Sequence, residues 1–160
     1  MRLYHGSLEV VEKPYIKLPS RTLDYGTGFY TTTSEEQAEQ WARRRMMAAD
    51  HISGYVNIYE LDESALLECK VLWFDDPDEN WLDFVMANRV NQDYHHDYDI
   101  VYGPVANDRV YAAFALYESG LLDKQALIRE LRTFKLVDQM LFHTEKSLSH
   151  LRFIEVNKVR

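Results

Sequence analysis

One cysteine, Cys69, stands in the 160 residues, so no disulfide can close within the chain and the lone thiol fits a reducing compartment. Its simplest role is that of a small residue near a strand edge. No stretch approaches the roughly 18 consecutive apolar residues of a membrane span, and no basic leader precedes an apolar run, so nothing marks export and the expected compartment is the cytoplasm. Bases are the scarcer charge: 18 against 26 acids leave a net charge of -8, which opposes non-specific attraction to nucleic-acid phosphates or anionic lipid. Internal repeats, low-complexity tracts and a regular strand–helix–strand rhythm are also missing. So are a glycine-rich phosphate loop ending in lysine, a Ser-His-Asp set and a zinc-ligand pattern.

What remains is globular composition, with 46% hydrophobic and 13% aromatic residues. A chain of this size buries roughly 68–70% of its unfolded surface, which is one domain, residues 1–160, without staples. The charge is uneven. Residues 60–99 hold twelve acids (Glu60, Asp62, Glu63, Glu68, Asp75, Asp76, Asp78, Glu79, Asp83, Asp93, Asp97, Asp99) and only Lys70 and Arg89 as bases. That block reads either as a solvated face or as a docking surface for a basic partner.

Arg2 to His5 reads as a short strand ending at Gly6, and the Pro14 and Pro19 region as a loop. Leu23 to Thr33 returns to strand, interrupted by Gly26 and Gly28. Ser34 is a good N-cap, Gln37 completes a capping box, and Glu35 and Glu36 suit the positive end of the dipole. Ala38, Trp41, Ala42 and Met46 give that helix its inward stripe. Alternation over Tyr55–Leu61 predicts a half-buried strand. Val71–Phe74 and Asp99–Val105 predict two more, with a helix from about 78 to 91 between them. Helices follow at Val110–Glu118 and from an Asp123 cap to Arg132. Gln139–His143 is a strand, Thr144 caps a single turn, and Phe153–Val159 is the last strand. The class is α+β.

Two short stretches carry the candidate site: Leu3-Tyr4-His5-Gly6-Ser7 and Asp24-Tyr25-Gly26-Thr27-Gly28-Phe29-Tyr30-Thr31-Thr32. Each contains a polar or aromatic residue its strand does not need, beside glycine, where a backbone can approach a ligand closely. His95 and His96 with Asp93, Asp97 and Asp99 lack metal-ligand spacing and lie in a polar loop, so no metal is expected. Arg43, Arg44 and Arg45 read as a solvated helix face or as a guide for a nucleotide or nucleic acid.

The pairing of His5 in "YHGS" with Tyr30 in "GTGFYTTTSEEQAEQWA", continued by "DIVYGPVANDRVY" and "DQMLFHTEKSLSHLRF", resembles the ADP-ribosyltransferase superfamily. The likeness is to the class named for its His-Tyr-Glu triad, which includes diphtheria toxin and the poly-ADP-ribose polymerases. Within it, the chain looks most like small bacterial domains encoded in toxin–antitoxin and phage-defence operons. The resemblance implies a split, curved antiparallel sheet holding NAD as co-substrate. It also implies transfer of ADP-ribose to a protein or nucleic acid, and an antitoxin partner. It gives His5 the adenosine-side ribose, Gly6 the nicotinamide amide, and Tyr30 and Trp41 the two faces of the cationic nicotinamide ring. Ser7 adds a hydroxyl. Arg21 and the amides around Gly28 are candidates for the pyrophosphate. Asn107 and Asp108 are ribose or acceptor contacts, or a plain helix cap. The third triad position departs from the pattern: Gln139 stands where the glutamate belongs, with Glu145 as the alternative carboxylate. An amide there lacks the charge that assists an oxocarbenium-like state, so the expected activity is slow mono-transfer. A degenerate NAD- or ADP-ribose-binding module and an NAD glycohydrolase are the alternatives.

Overall fold

The alternation at 55–61 becomes β3 (Gly54–Leu61), the centre of a three-stranded antiparallel sheet in the order β1-β3-β7, with β1 at Arg2–Ser7 and β7 at Leu151–Val159. His5 lies opposite Asn57, and the β3–β7 register shifts between Ile58 and Tyr59. The computed structural model describes residues 1–16, 25–91, 94–105, 108–133 and 136–160, and the backbone but not the side chain of Asp108.

A second sheet runs β2-β6-β5-β4, from β2 (Phe29–Thr31) through β6 (Asp138–Phe142) and β5 (Ile100–Pro104) to β4 (Val71–Trp73), with only β4–β5 parallel. The sheets join at one bridge, where Tyr4 and Thr32 exchange N–H···O bonds of 2.9 and 3.0 Å. The chain is therefore α+β, with a curved sheet divided in two. Side chains at Leu3, Phe29, Tyr59, Ile100, Met140 and Phe142 fill the inner core between the halves. α1 (Glu35–Ala49) covers the outer face of the first sheet through Ala38, Ala42 and Met46. On the outer face of the second, α3 (Glu79–Val90), α4 (Asp108–Glu118) and α5 (Lys124–Arg132) supply a larger core around Trp81, Phe114 and Leu127.

Several boundaries follow local chemistry. The Ser34 hydroxyl accepts from the Gln37 amide, Asp78 caps α3, and Asp123 caps α5. Thr144 and Ser147 form a reciprocal capping box on α6 (Glu145–Leu148). Three expectations need correction. The strand expected from Leu23 shrinks to Phe29–Thr31, because Gly26 turns the chain at φ +82°; residues 23 and 24 lie outside the described residues. Trp41 does not join the inward stripe and stands half-buried beside it. The turn α2 (Ala65–Glu68) is too short to show a period and was not anticipated.

The acidic block is mostly a solvated face, and much of it is paired within the molecule. Glu60 pairs with the N-terminus, Asp97 with Lys70, and Glu79 and Asp83 with Lys124. Asp62 caps Ser64, and Asp99 accepts from the Lys70 amide and the Thr144 hydroxyl.

The start of the second signature is pinned from beneath. The buried Tyr25 hydroxyl donates to the Pro104 carbonyl and accepts from Trp81 Nε1, both at 2.7 Å, in space left open by Gly103. Trp81 Nε1 also reaches Pro104 directly at 3.2 Å, so Tyr25→Phe does not orphan the indole. The substitution is expected to cost about 1 kcal/mol, read as a lower urea midpoint at unchanged slope.

Candidate functional site

β1 and β2 part beyond their single bridge. Tyr4 spends its N–H and C=O on Thr32, and strand alternation turns the N–H and C=O of Gly6, two residues on, toward the same edge. By the same alternation the Tyr30 peptide groups face β1. No residue of β2 pairs with Gly6, so the strands open a seam lined by residues 5–7 on one side and 29–31 on the other.

His5 spans that seam. Its Nδ1 lies 2.7 Å from the Tyr30 carbonyl, while the ring rests on Phe29 with centroids 4.3 Å apart. A carbonyl can only accept, so Nδ1 carries the proton in this contact. The Tyr30 ring lies on the other face of the sheet, packed toward the Trp81 core, with its hydroxyl donating to the Gly26 carbonyl at 2.6 Å. His5 and Tyr30 thus meet at the seam from opposite faces: the imidazole touches the Tyr30 backbone, not its ring.

Gln139 shares the Tyr30 face. Tyr30 pairs with Leu141, so Gln139 is its diagonal neighbour, roughly 7–8 Å away. Opposite it is Gly103. Gln139 is only 2% exposed, and its Nε2 has no hydrogen-bond partner. A buried amide hydrogen left unpaired costs about 1–3 kcal/mol, which makes Gln139 the conspicuous polar group of this face. Glu145 is an exposed residue of α6, beyond the opposite end of β6 from Gln139. It does not occupy the Gln139 position.

Gly6 and Ser7 owe their identities to packing as well. A Cβ on Gly6 would lie 2.0 Å from the Ala38 carbonyl oxygen, so α1 sits directly on this residue. Ser7 is buried; its hydroxyl donates to the Glu9 carbonyl and accepts from Asn57 Nδ2, pinning the chain after β1. Ser7 is thereby engaged within the protein. Gly28 is tight against the Phe142 carbonyl and His143. Trp41 stands half-buried on α1, one residue before Ala42, whose backbone closes on Gly6. Arg21, Asn107 and Asp93 lie outside the described residues. Asp108 opens α4, and its side chain is not described.

Two groups were not anticipated. Asp138, next to Gln139, accepts from the Thr32 hydroxyl, the Thr33 amide and hydroxyl, and the Tyr102 hydroxyl. Its carboxylate ties the end of β2 to β5 and is occupied in doing so. Burial, reinforced by that carboxylate, holds the Tyr102 hydroxyl well above the usual phenol range. His143 follows β6, bonds the Thr27 carbonyl through Nδ1 at 2.6 Å, and packs edge-on against His96 at 4.5 Å. Its Nε2 is buried without a partner, and burial lowers the ring to about 4; His96 is lowered for the same reason. The pair fixes one wall of the seam, the Gly26–Gly28 loop. A signal for Asp138 was available in a strand-initial acid facing consecutive threonines. None pointed to a pairing of His96 with His143.

Fold and site together define an α+β protein with a divided sheet and a polar seam at the division. It belongs to the DUF3990 family, described as proteins of unknown function, whose model matches residues 1–153. No curated protein and no solved structure matches the chain. Among the described residues no helix is long and apolar enough to cross a membrane.

Proposed function

We propose that this chain is an NAD-dependent mono-ADP-ribosyltransferase acting on a protein or nucleic acid, and that it is the toxin of a toxin–antitoxin pair. The observation that carries the catalytic reading is the parting of β1 and β2. It turns a peptide donor and acceptor at Gly6 toward one gap, beside the His5 imidazole and the Tyr30 strand. A primary carboxamide needs one acceptor and one donor side by side, which the Gly6 C=O and N–H supply. The His5 imidazole stands beside that gap, where the ribose would lie. Tyr30 and Trp41 offer flat faces to a cationic ring. The toxin assignment rests on the resemblance alone.

In the reaction, the bond from ribose C1′ to the nicotinamide nitrogen breaks, and its electrons leave with neutral nicotinamide. A nucleophilic atom of the acceptor bonds to C1′ and gives its proton to water. Gln139, as a neutral amide, orients the ribose by hydrogen bonding and takes no proton. Without a carboxylate, stabilisation of the oxocarbenium-like state is weaker, so turnover is slow.

The test is incubation with NAD labelled in its adenylate half, alone and with cell lysate. Label on a macromolecule together with released nicotinamide is expected. Free ADP-ribose without labelled acceptor would make the protein a glycohydrolase, and NAD binding without nicotinamide release would make it a binding module. His5→Ala should weaken NAD binding about tenfold by calorimetry, the scale of one lost hydrogen bond. An unchanged affinity would remove His5 from the site.

A further inference from the structure

β4 ends the second sheet, and its outer edge is open. On the inner side, the Lys70 carbonyl accepts from the Ile100 amide at 3.3 Å, and the Phe74 amide donates to the Tyr102 carbonyl at 2.8 Å. Val71 stands opposite Ile100 and Trp73 opposite Tyr102 in this parallel ladder, so the Leu72 peptide groups between them also face β5. The N–H and C=O of Val71 and Trp73 therefore point the other way. Among the described residues nothing bonds them. Such an edge is a template for another strand.

The side chains along that edge supply a flat surface and a charge. The Trp73 ring stacks on Tyr102, with centroids 3.9 Å apart and 24° between the planes, yet the residue remains 41% exposed. Tyr102 covers the indole face on the β5 side, so the opposite face looks away from the sheet. Met140, Tyr102 and Trp73 form one row across neighbouring strands. A residue added to that row lies about 5 Å further out, with its side chain on the same face of the sheet. Trp73 Nε1 donates to Asp75 Oδ1 at 2.9 Å, which holds that carboxylate at the rim of the ring. Asp75 and Asp76 are exposed, and among the described residues no cation pairs with either. Asp97, Glu79 and Asp83, by contrast, each have a lysine.

We infer that the β4 edge takes an extended, basic segment of a partner protein as a further strand of the second sheet, with an arginine stacked on the outer face of Trp73 and paired with Asp75. In strand addition the main-chain bonds give affinity, and the alternate side chains give specificity. Val71 and Trp73 offer the bonds, and the indole with its carboxylate selects the side chain. A guanidinium suits both contacts, because it is flat enough to stack on an aromatic ring and its fork matches a carboxylate. A second copy of the chain fits less well: with a net charge of -8 it brings its own acids to an acidic edge. No residue of the seam takes part, so this edge is independent of the NAD reading.

Selection of a random heptapeptide library, displayed on phage, against the full chain tests this. Arginine flanked by β-branched residues is expected to be enriched. The consensus peptide, once synthesised, should slow amide exchange at Val71 and Trp73 by NMR and leave Leu72, already bonded to β5, unchanged. By calorimetry it should bind at least about tenfold more weakly to Trp73→Ala and to Asp75→Asn/Asp76→Asn, the second of which keeps an acceptor for the indole. No enrichment, or a consensus without a base, overturns the assignment. So does binding that leaves the Val71 and Trp73 amides exchanging as in the free chain, or equal affinity in the Asp75→Asn/Asp76→Asn variant. Concentration-dependent dimerisation of wild type in sedimentation, with those two amides protected, also overturns it and gives the edge to a second copy.

Discussion

Gly6→Ala is expected to remove most of the stability of the chain. The new methyl carbon would stand 2.0 Å from the Ala38 carbonyl oxygen, 2.9 Å from the Ala42 nitrogen and 3.0 Å from the Ala38 carbonyl carbon. All three are backbone atoms of α1, so no side-chain rotation relieves the clash. The helix has to lift from β1, opening the cluster of Ala38, Ala42, Met46, Val56, Ile58 and Val159. The loss should exceed about 4 kcal/mol, the range reserved for core disruption, against a total of roughly 5–15 kcal/mol for a domain. A thermal melt checks it. Gly120→Ala is the control: nothing lies within 4 Å of a Cβ there, and only the positive φ of +81° opposes the change, so a cost of about 1 kcal/mol is expected. Equal melting temperatures for the two variants would refute the packing account.

The same residue shows how a sequence reading can be right about importance and incomplete about cause. Beside His5, a glycine suggests room for a ligand. The room is used by α1 on the side-chain face, while the Gly6 peptide group, lying in the plane of the sheet, turns to the seam. Side chain and peptide point in perpendicular directions, so one glycine serves both.

Local signals were legible where a short motif decides the structure. The Ser34, Asp123 and Thr144 caps announce three helices because each satisfies amides within its own first turn. The alternation of Tyr55–Leu61 marks β3 because a strand buried more on one face repeats every two residues. Features built from long-range register were not legible. The bond from His5 to Tyr30 joins residues 25 apart, and it exists only because β1 and β2 meet once and then diverge. Asp138 read as the residue before the strand, yet its partners Thr32, Thr33 and Tyr102 come from two other segments. The acidic block is the solvated face its composition suggests, while its salt bridges to Lys70 and Lys124 and its backbone bonds depend on where the chain returns.

Stability is expected to fall steeply as pH drops from 7 to 5, with His143 as the main source. In the folded chain burial holds this imidazole at about 4, against 6.5 for the free side chain. The Thr27 carbonyl and Asp99 oppose that shift, while His96 at 4.5 Å adds to it. Between those two values the unfolded chain binds a proton that the folded chain refuses. Acid therefore favours unfolding, and the full stability is present only above pH 6.5. Linkage over the whole interval amounts to roughly 3 kcal/mol, of which about 2 kcal/mol is spent by pH 5. Urea unfolding at pH 7.5 and 5 measures it, paired with His143→Phe, which fills the site with a ring that cannot titrate. The variant gives up the bond to Thr27 and starts from a lower stability at pH 7.5, but it should lose far less than wild type on acidification. Above pH 5 most carboxylates are already ionised in both states, so the difference between the two proteins isolates the imidazole. Parallel losses in wild type and variant would mean that His143 titrates normally and that the Gly26–Gly28 wall is not held by a neutral ring. A smaller loss in the variant would identify that wall as the part of the seam that acid loosens first, since His143 and His96 both anchor the stretch from Tyr25 to Gly28.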